Sequence, residues 1–303
     1  MNALRIGTRG SPLALWQANH VADLLRPLAA PRAVELVLIE TEGDRVRDRA
    51  LSQIGGDGLF TKEIQNALLE DRVDIAVHSH KDLPTHFVEG LTLGAVPPRG
   101  PIGDAFVSRK VARFADLPQG ARVGTSSLRR RSQLLNKRPD LRIETLRGNV
   151  ETRLRKLEEQ DFDAIILAEA GLCRLGLEGH ITEVLDRRWM LPAVGQGALG
   201  LECRTADEAT CGLLAHLDHG PTRAAVLCER AFLRALGGGC LVPIGALAEV
   251  TGDTLTLAGA VLNIDGTASA TGRHQGRADD PEKVGHELAA ELIGKGADML
   301  LRR

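Results

Sequence analysis

Short β-type runs alternate with helical patterns through roughly the first two hundred residues, and no other feature of this 303-residue chain limits its fold as strongly. Runs at 4–7, 34–39, 73–78, 122–124, 141–145 and 163–167 are strand-sized. Between them, 61–70, 128–136 and 150–159 read as helices, as does a segment from about Ser11 with apolar positions at Leu13, Trp16, Val21 and Leu24. Such alternation predicts an α/β architecture of mostly parallel sheets flanked by helices. Ligands of these folds bind beyond the carboxyl ends of strands, close to helix N-termini.

An internal echo points to two similar lobes. Residues 5–11 and 122–127 each begin Arg-x-Gly-Thr, with Gly-Thr closing a strand and Ser leading into a helix. Paired lobes of this kind would bring two helix N-termini across one cleft. The Pro-rich stretch 97–101 reads as the crossover between lobes and 191–197 as the return. Lobe 1 is therefore expected at 1–97 and 198–217, and lobe 2 at 98–197. After residue 218 the pattern changes to a helix at about 222–236, three antiparallel strands (247–250, 254–262, 268–273) and a closing helix near 281–294. This predicts a small α+β domain over 218–303 with a three-stranded antiparallel sheet.

The charge is unevenly placed. Of 38 basic residues only seven are Lys, and the chain as a whole carries −2. GC-rich coding also favours Arg, so placement carries the argument rather than the total. Between Arg122 and Lys156 stand eleven basic residues against three acids, a net of +8, so the remainder carries −10. Arg129 and Arg130 fall in the first turn of a helix entered through Thr125, Ser126 and Ser127. Arg147 closes a strand before Gly148 and Asn149, and Arg153 lies in the next first turn. Free backbone N–H groups, hydroxyls and guanidinium forks meeting at helix N-termini form an anion site. Cations there oppose the helix dipole, which a bound anion would offset. With 3% aromatic residues and no Tyr, a nucleic-acid surface built on base stacking is disfavoured.

Lys81 and Asp82 follow a strand at its carboxyl end, where they can supply a cation for a substrate carboxylate and a carboxylate for acid–base work. The His78-x-His80 pair has no evident third ligand, so no metal site is expected. Cys240 ends a Gly-Gly-Gly run and could present a thiol from a pliant tip, or could be an ordinary small hydrophobe. Cys173, Cys203, Cys211 and Cys228 read as core, without C-x-x-C spacing, which fits a reduced cytoplasmic protein. No apolar run is long enough for a membrane span, and Arg5 and Arg9 precede any long apolar stretch, so no signal peptide is expected. The Gly-rich segment 42–58 reads as a mobile loop.

The motifs at 7–14, 58–63, 78–84, 123–130, 146–150, 170–176, 191–197 and 238–245 occur in one order along essentially the whole chain. Taken together, the sequence resembles the porphobilinogen deaminase (hydroxymethylbilane synthase) family. The resemblance implies two lobes like those of periplasmic binding proteins and a third domain that presents a cofactor. It implies an enzyme that condenses four porphobilinogen units with release of ammonia, on an enzyme-bound dipyrromethane primer held by a thioether to Cys240. The linear tetrapyrrole hydroxymethylbilane is then released by hydrolysis.

By the same resemblance, Asp82 and Arg9 are catalytic. Ser79, Lys81, Asp82, Thr125, Ser127, Arg129, Arg130, Arg147 and Gly148 hold the cofactor with Cys240. Arg9, Ser11, Ser126, Arg147, Arg153 and Arg174 bind substrate carboxylates. Porphobilinogen is the implied partner, with neither nucleic acid nor membrane, and the protein is expected to be a cytoplasmic monomer. Two departures stand out: Asp57 where the family commonly has Lys, with Gln53 on the same loop, and His80 where it usually has an apolar residue. The alternative is a non-catalytic, two-lobed binding protein for small anions, which leaves the Gly-Gly-Gly-Cys tip and the Lys81-Asp82 pair without a purpose.

Overall fold

A computed structural model of the chain describes residues 2–41, 43, 58, 60–86, 88–239 and 242–302. Cys240, Gln53 and Asp57 lie outside the described residues. In chain order the strands are β1 (Leu4–Thr8), β2 (Val34–Leu38), β3 (Ile75–Ser79), β4 (Leu91–Ala95), β5 (Asp104–Val107), β6 (Arg122–Gly124) and β7 (Arg142–Glu144). They continue with β8 (Ala164–Ala168), β9 (Glu183–Val184), β10 (Leu199–Arg204), β11 (Ile244–Thr251), β12 (Thr254–Leu262) and β13 (Ser269–Arg277). The described α-helices are α1 (Pro12–Ala29), α2 (Lys62–Leu69), α3 (Leu128–Lys137), α4 (Val150–Glu159) and α5 (Glu169–Arg174). After them come α6 (Glu208–Ala215), α7 (Gly220–Ala235), α8 (Pro281–Gly294) and α9 (Ala297–Leu300). By contact the chain divides into two units, Met1–Gly100 with Ala198–Arg223, and Pro101–Gly197 with Ala224–Arg303.

Each unit contains one five-stranded sheet, ordered β2-β1-β3-β10-β4 in the first and β7-β6-β8-β5-β9 in the second. Position for position the two orders match. In each, three adjacent strands pair in parallel, and one strand (β10 or β5) runs antiparallel to both of its neighbours. The sheets are thus mixed, with four strand directions alike and one reversed. The reversed strands, and their outer neighbours β4 and β9, are not among the strands read from the sequence, although β4 and β10 alternate apolar residues with others.

The Arg-x-Gly-Thr echo has a physical basis. The backbone N–H of Arg5 donates to the Asp74 carboxylate at 2.8 Å, and that of Arg122 donates to the Asp163 carboxylate at 2.7 Å. Both aspartates return their own N–H to the same arginine's carbonyl, at 2.8 and 2.9 Å. In each sheet an Asp just ahead of the third strand in order, β3 or β8, therefore anchors the second, β1 or β6. A Cβ on Gly7 would lie 3.1 Å from Val73, and one on Gly124 would lie 3.1 Å from Ile165 and Leu146. A larger residue at either place would push the strand end away from its neighbours.

Strand alternation splits each core into two layers. Ile75 and Val77 join the buried α1 face (Ala18, Val21, Ala22, Leu25), whereas Ala76 packs with Ile64 and Leu68 of α2 on the opposite face. The second sheet repeats this, with Ile166 beside Leu134 of α3 and Ile165 beside Leu157 of α4. The buried stripe of α1 differs from the apolar positions read from the sequence: Trp16 and Leu24 are 38% and 37% exposed. Two alanines hold the inner positions instead, because close packing against the sheet selects small side chains that give a weak hydrophobic signal.

The third sheet, β11-β12-β13, is antiparallel as expected, though its outer strands are longer than the sequence suggested. Phe232 of α7 and Leu288 of α8 cover it, and a Cβ on Gly259 would lie 2.5 Å from the Phe232 ring. Cys203 and Cys228 are buried, while Cys173 and Cys211 are only partly so.

Candidate active site

At the end of β1 the chain turns through Arg9 and Gly10 into α1. The Ser11 hydroxyl caps this helix by accepting the Ala14 N–H at 3.4 Å, and Pro12 follows in the first turn, where its missing N–H costs nothing. Thr8, wholly buried, donates its hydroxyl to the Ala14 carbonyl at 3.2 Å and fastens the strand end to the helix. On the neighbouring strand, β3 ends at Ser79 and passes into a single 3₁₀ turn, His80–Asp82. The carboxyl ends of β1 and β3 thus open into one cavity of about 70 Å³, whose lining includes Arg9, Ser11, Ser79 and Asp82.

The cavity walls are fixed by contacts that sequence reasoning missed. The Arg9 guanidinium lies over the Phe60 ring, 4.2 Å from its centroid, a cation–π contact that orients the fork. Gln17 of α1 donates from Nε2 to the Ser79 hydroxyl at 2.8 Å, and that hydroxyl faces Gln17 Oε1 at 3.3 Å. Lys81 and Asp82 are half-buried, whereas His80 is 1% exposed and packs beside Gly200, where an added Cβ would lie 3.3 Å from its ring. His80 accordingly fills interior space behind the turn.

In the second unit the adjacent ends of β6 and β7 each lead to a helix. Ser127 caps α3, accepting the Arg130 N–H at 3.4 Å, and its own N–H donates to the Thr125 hydroxyl at 3.2 Å. Ser126 donates its hydroxyl to the Leu146 carbonyl at 2.5 Å and ties the two strand ends together. Asn149 caps α4 through the Thr152 N–H at 2.8 Å. Just before it, Gly148 takes φ = +117°, and an added Cβ would lie 2.5 Å from Thr152 Cγ2. Arg153 folds back, donating from Nε to the Gly148 carbonyl at 2.8 Å. Thr125, Ser126, Ser127, Arg147, Gly148 and Arg153 are thus gathered around two helix N-termini, an arrangement suited to carboxylates.

Arg129 and Arg130 are placed differently from the other expected anion ligands. Both are buried against Asp104 of β5, whose side chain is fully enclosed. Arg129 Nη1 lies 2.6 Å from Asp104 Oδ2, and Arg130 Nη2 lies 2.7 Å from Oδ1. Arg129 also donates to the Leu191 carbonyl at 2.6 Å, and Arg130 to that of Ile166 at 3.0 Å. Burial pushes the Asp104 carboxyl up, but the charges and hydrogen bonds of the two guanidinium groups outweigh it and hold the carboxyl well below its ordinary range. Burial also lowers Arg130, with Asp104 opposing. Two cations on one carboxylate leave the cluster at +1. Two of the three acids already counted in the +8 are likewise engaged, Glu144 by Arg122 and Asp140 by Arg138, whereas Asp104 adds a counter-charge from outside the stretch. Nothing in the helical spacing of 128–137 signals Asp104; only the buried strand position reveals it.

Arg174, at the end of α5, donates to the Gly197 carbonyl at 2.7 Å, and burial brings its guanidinium down to about 10. A cation held under such desolvation gains from an incoming anion.

Two family profiles match the chain: "Porphobilinogen deaminase, dipyromethane cofactor binding domain" over residues 4–212, and "Porphobilinogen deaminase, C-terminal domain" over 223–294. A porphobilinogen deaminase of Trichlorobacter lovleyi is 53% identical over 298 residues, covering 98% of this chain and 95% of the relative. That of Geobacter sulfurreducens is 52% identical over 301 residues, covering 99% and 94%. Among solved structures, a periplasmic substrate-binding protein of an ABC transporter from Coxiella burnetii is similar at a TM-score of 0.43 and 14% identity, over 75% of this chain and 94% of that one. A nutrient-binding protein from Burkholderia cenocepacia bound to methionine is similar at a TM-score of 0.43 and 14% identity, over 70% and 90%. Profiles spanning the cofactor-binding and C-terminal regions, with half-identical relatives over nearly the full length, establish that the chain belongs to the porphobilinogen deaminase family.

Proposed function

We propose that this chain is a transferase that condenses four porphobilinogen molecules stepwise into hydroxymethylbilane, releasing one ammonia at each addition. The observation that carries the reading is the Asp82 carboxylate in one cavity with Arg9, Ser11 and Ser79 at the carboxyl ends of β1 and β3. A non-catalytic anion-binding role is not favoured, because the relatives are named as the deaminase.

Porphobilinogen carries an acetate and a propionate, so it and its oligomers present two carboxylates per ring. The helix N-termini at Ser127 and Asn149 supply N–H donors of the kind such groups require, and Gly148 exposes backbone between them. The dipyrromethane of the family's cofactor domain would be held by Ser79, Lys81, Asp82, Thr125, Ser127, Arg129, Arg130, Arg147 and Gly148. We assign its covalent attachment to Cys240, on the third domain at 218–303. When bound, this group supplies the free pyrrole α-carbon to which each new unit is joined.

The protein's own share is orientation and charge. Arg9, steadied by Phe60, binds a carboxylate of the incoming porphobilinogen together with Ser11, while Ser126, Arg147, Arg153 and Arg174 receive those of the other rings. Asp82 accepts pyrrole N–H groups and faces the positive charge that develops as ammonia departs. The same carboxylate then takes the proton that leaves the ring carbon. Among the described residues no helix is long and apolar enough to cross a membrane, and we propose a cytoplasmic monomer.

Product formation from porphobilinogen and the intact mass test the reading together. The holoprotein is expected to exceed the polypeptide mass by one dipyrrole, and Cys240→Ser to lack that increment. Asp82→Asn should lose about 10²–10⁴ in kcat, the usual span of general acid–base catalysis. A bare polypeptide mass with no product, or near-normal turnover by Asp82→Asn, overturns it.

A further inference from the structure

Behind the Asp82 cavity lies a buried carboxylate that the reaction above does not use. Glu202 of β10 is 5% exposed, yet it meets polar groups from two other elements. Gln65 of α2 donates from Nε2 to its two oxygens at 3.2 and 2.9 Å. His78 of β3 places Nε2 3.1 Å from Glu202 Oε2, with both side chains under a tenth exposed.

The strand register explains the meeting. Gly200 lies opposite His78 and Glu202 opposite Ala76 in the antiparallel pairing of β10 with β3, so Glu202 and His78 are diagonal neighbours on one face. That is the face α2 covers, since Ala76 packs against Ile64. His78 in turn lines the same cavity as Asp82, and only Ser79, His80 and Lys81 separate the two along the chain. Gly200 keeps the approach open, because a Cβ there would lie 2.6 Å from Leu83, the residue after Asp82.

We infer that Glu202 is a positioning residue for Asp82, acting through His78. The carboxylate, fixed by Gln65, stands 3.1 Å from His78 Nε2; the pair is not aligned as a hydrogen bond, but a negative charge that close in a buried place favours the tautomer protonated there. That link fixes the end of β3, and the end of β3 sets where the turn presents Asp82. Arg9 and Ser11 stand in the turn from β1 into α1, whereas Glu202 joins β10 to α2 and β3. Removing the carboxylate should slow the chemical step more than it weakens substrate binding.

The inference rests on the proposed reaction, and the two fail differently. If the wild-type holoprotein makes no product, the reaction itself is overturned; if the wild type is active, the Glu202→Gln holoprotein decides the inference. The variant keeps the volume and is expected to lose tenfold or more in kcat with KM within twofold, while its dipyrrole mass and thermal midpoint stay near wild type. His78→Asn should cost about as much, and the double variant little more than either alone. Independently of activity, ¹⁵N-histidine NMR should show His78 protonated at Nε2 in the wild type and released from that state in Glu202→Gln. Unchanged kcat, a loss confined to KM, additive effects in the double variant, or a wild-type His78 protonated at Nδ1 would each overturn the positioning role.

Discussion

Arg129 Nη1 sits 2.6 Å from Asp104 Oδ2 in a place closed to solvent, and Arg130 engages the other oxygen of the same carboxylate. Asp104 thereby determines how two cations of the most basic stretch are held. Asp104→Ala would bury two guanidinium groups without their counter-charge, at a cost of about 3–5 kcal/mol. Denaturant unfolding should show a lower midpoint with little change in slope.

The same carboxylate predicts an acid limb. Its folded-state pKa lies below the unfolded value, so its contribution is complete above the ordinary carboxylate range and is lost as pH falls below it. Asp74 behaves alike: burial pushes its carboxyl up, but hydrogen bonds from Arg5 and Arg204 bring it lower overall. Unfolding free energy should therefore be flat from neutrality to mildly acidic pH with respect to these two groups, then fall steeply. Asp104→Asn should flatten that fall, which a pH series of urea melts would reveal.

Asp74 and Asp163 hold equivalent places, yet their surroundings differ. The Asp74 side chain is 5% exposed and meets Arg5, Arg32 and Arg204, whereas that of Asp163 is 19% exposed and meets Lys110. Alanine at 74 should destabilise by about 2–4 kcal/mol, since it takes a buried acceptor from three partly exposed guanidinium groups and the Arg5 N–H, and alanine at 163 by roughly 1–2 kcal/mol. Equal losses at the two positions in thermal melts would count against this ranking.

These contrasts show which parts of the molecule are legible in the sequence. Strands such as β3 and β8 announce themselves because both faces are covered, making them largely apolar runs. β10 alternates Leu199, Leu201 and Cys203 with Gly200, Glu202 and Arg204, whose face meets α2, the His80–Asp82 turn and Asp74 rather than solvent, so its pattern does not announce a strand buried on both faces. Thr125, Ser127 and Arg147 stand out as candidates through local capping and strand-end patterns, which are properties of adjacent residues. Asp104, Gln17 and Glu202 act across long sequence separations, and no spacing rule reaches them.

Gly148 is a place where backbone shape is itself the prediction. At φ = +117° an alanine is strained, and its Cβ would also press on Thr152. Gly148→Ala should cost about 1–3 kcal/mol, or shift the loop to escape the strain. In the second case stability recovers but the strand-end site loses its geometry. Paired measurements of melting temperature and KM for porphobilinogen separate the two, and one of them must change.

Arg174 offers the reverse trade. Burial draws its guanidinium down to about 10, so the folded protein is disfavoured by keeping this cation charged away from water. The sign follows: because the folded pKa lies below the unfolded one, the penalty is present at neutral pH and lessens only as pH rises towards the folded value. Arg174→Met keeps much of the volume without the charge, so protein lacking substrate should melt at the same or a higher temperature. The proposed carboxylate-binding role predicts the opposite for function, a KM for porphobilinogen raised about tenfold, as expected for a lost charge-assisted hydrogen bond of 1.5–3 kcal/mol. A variant that melts lower and binds substrate normally would assign Arg174 to holding Gly197 in place, through the 2.7 Å bond they share.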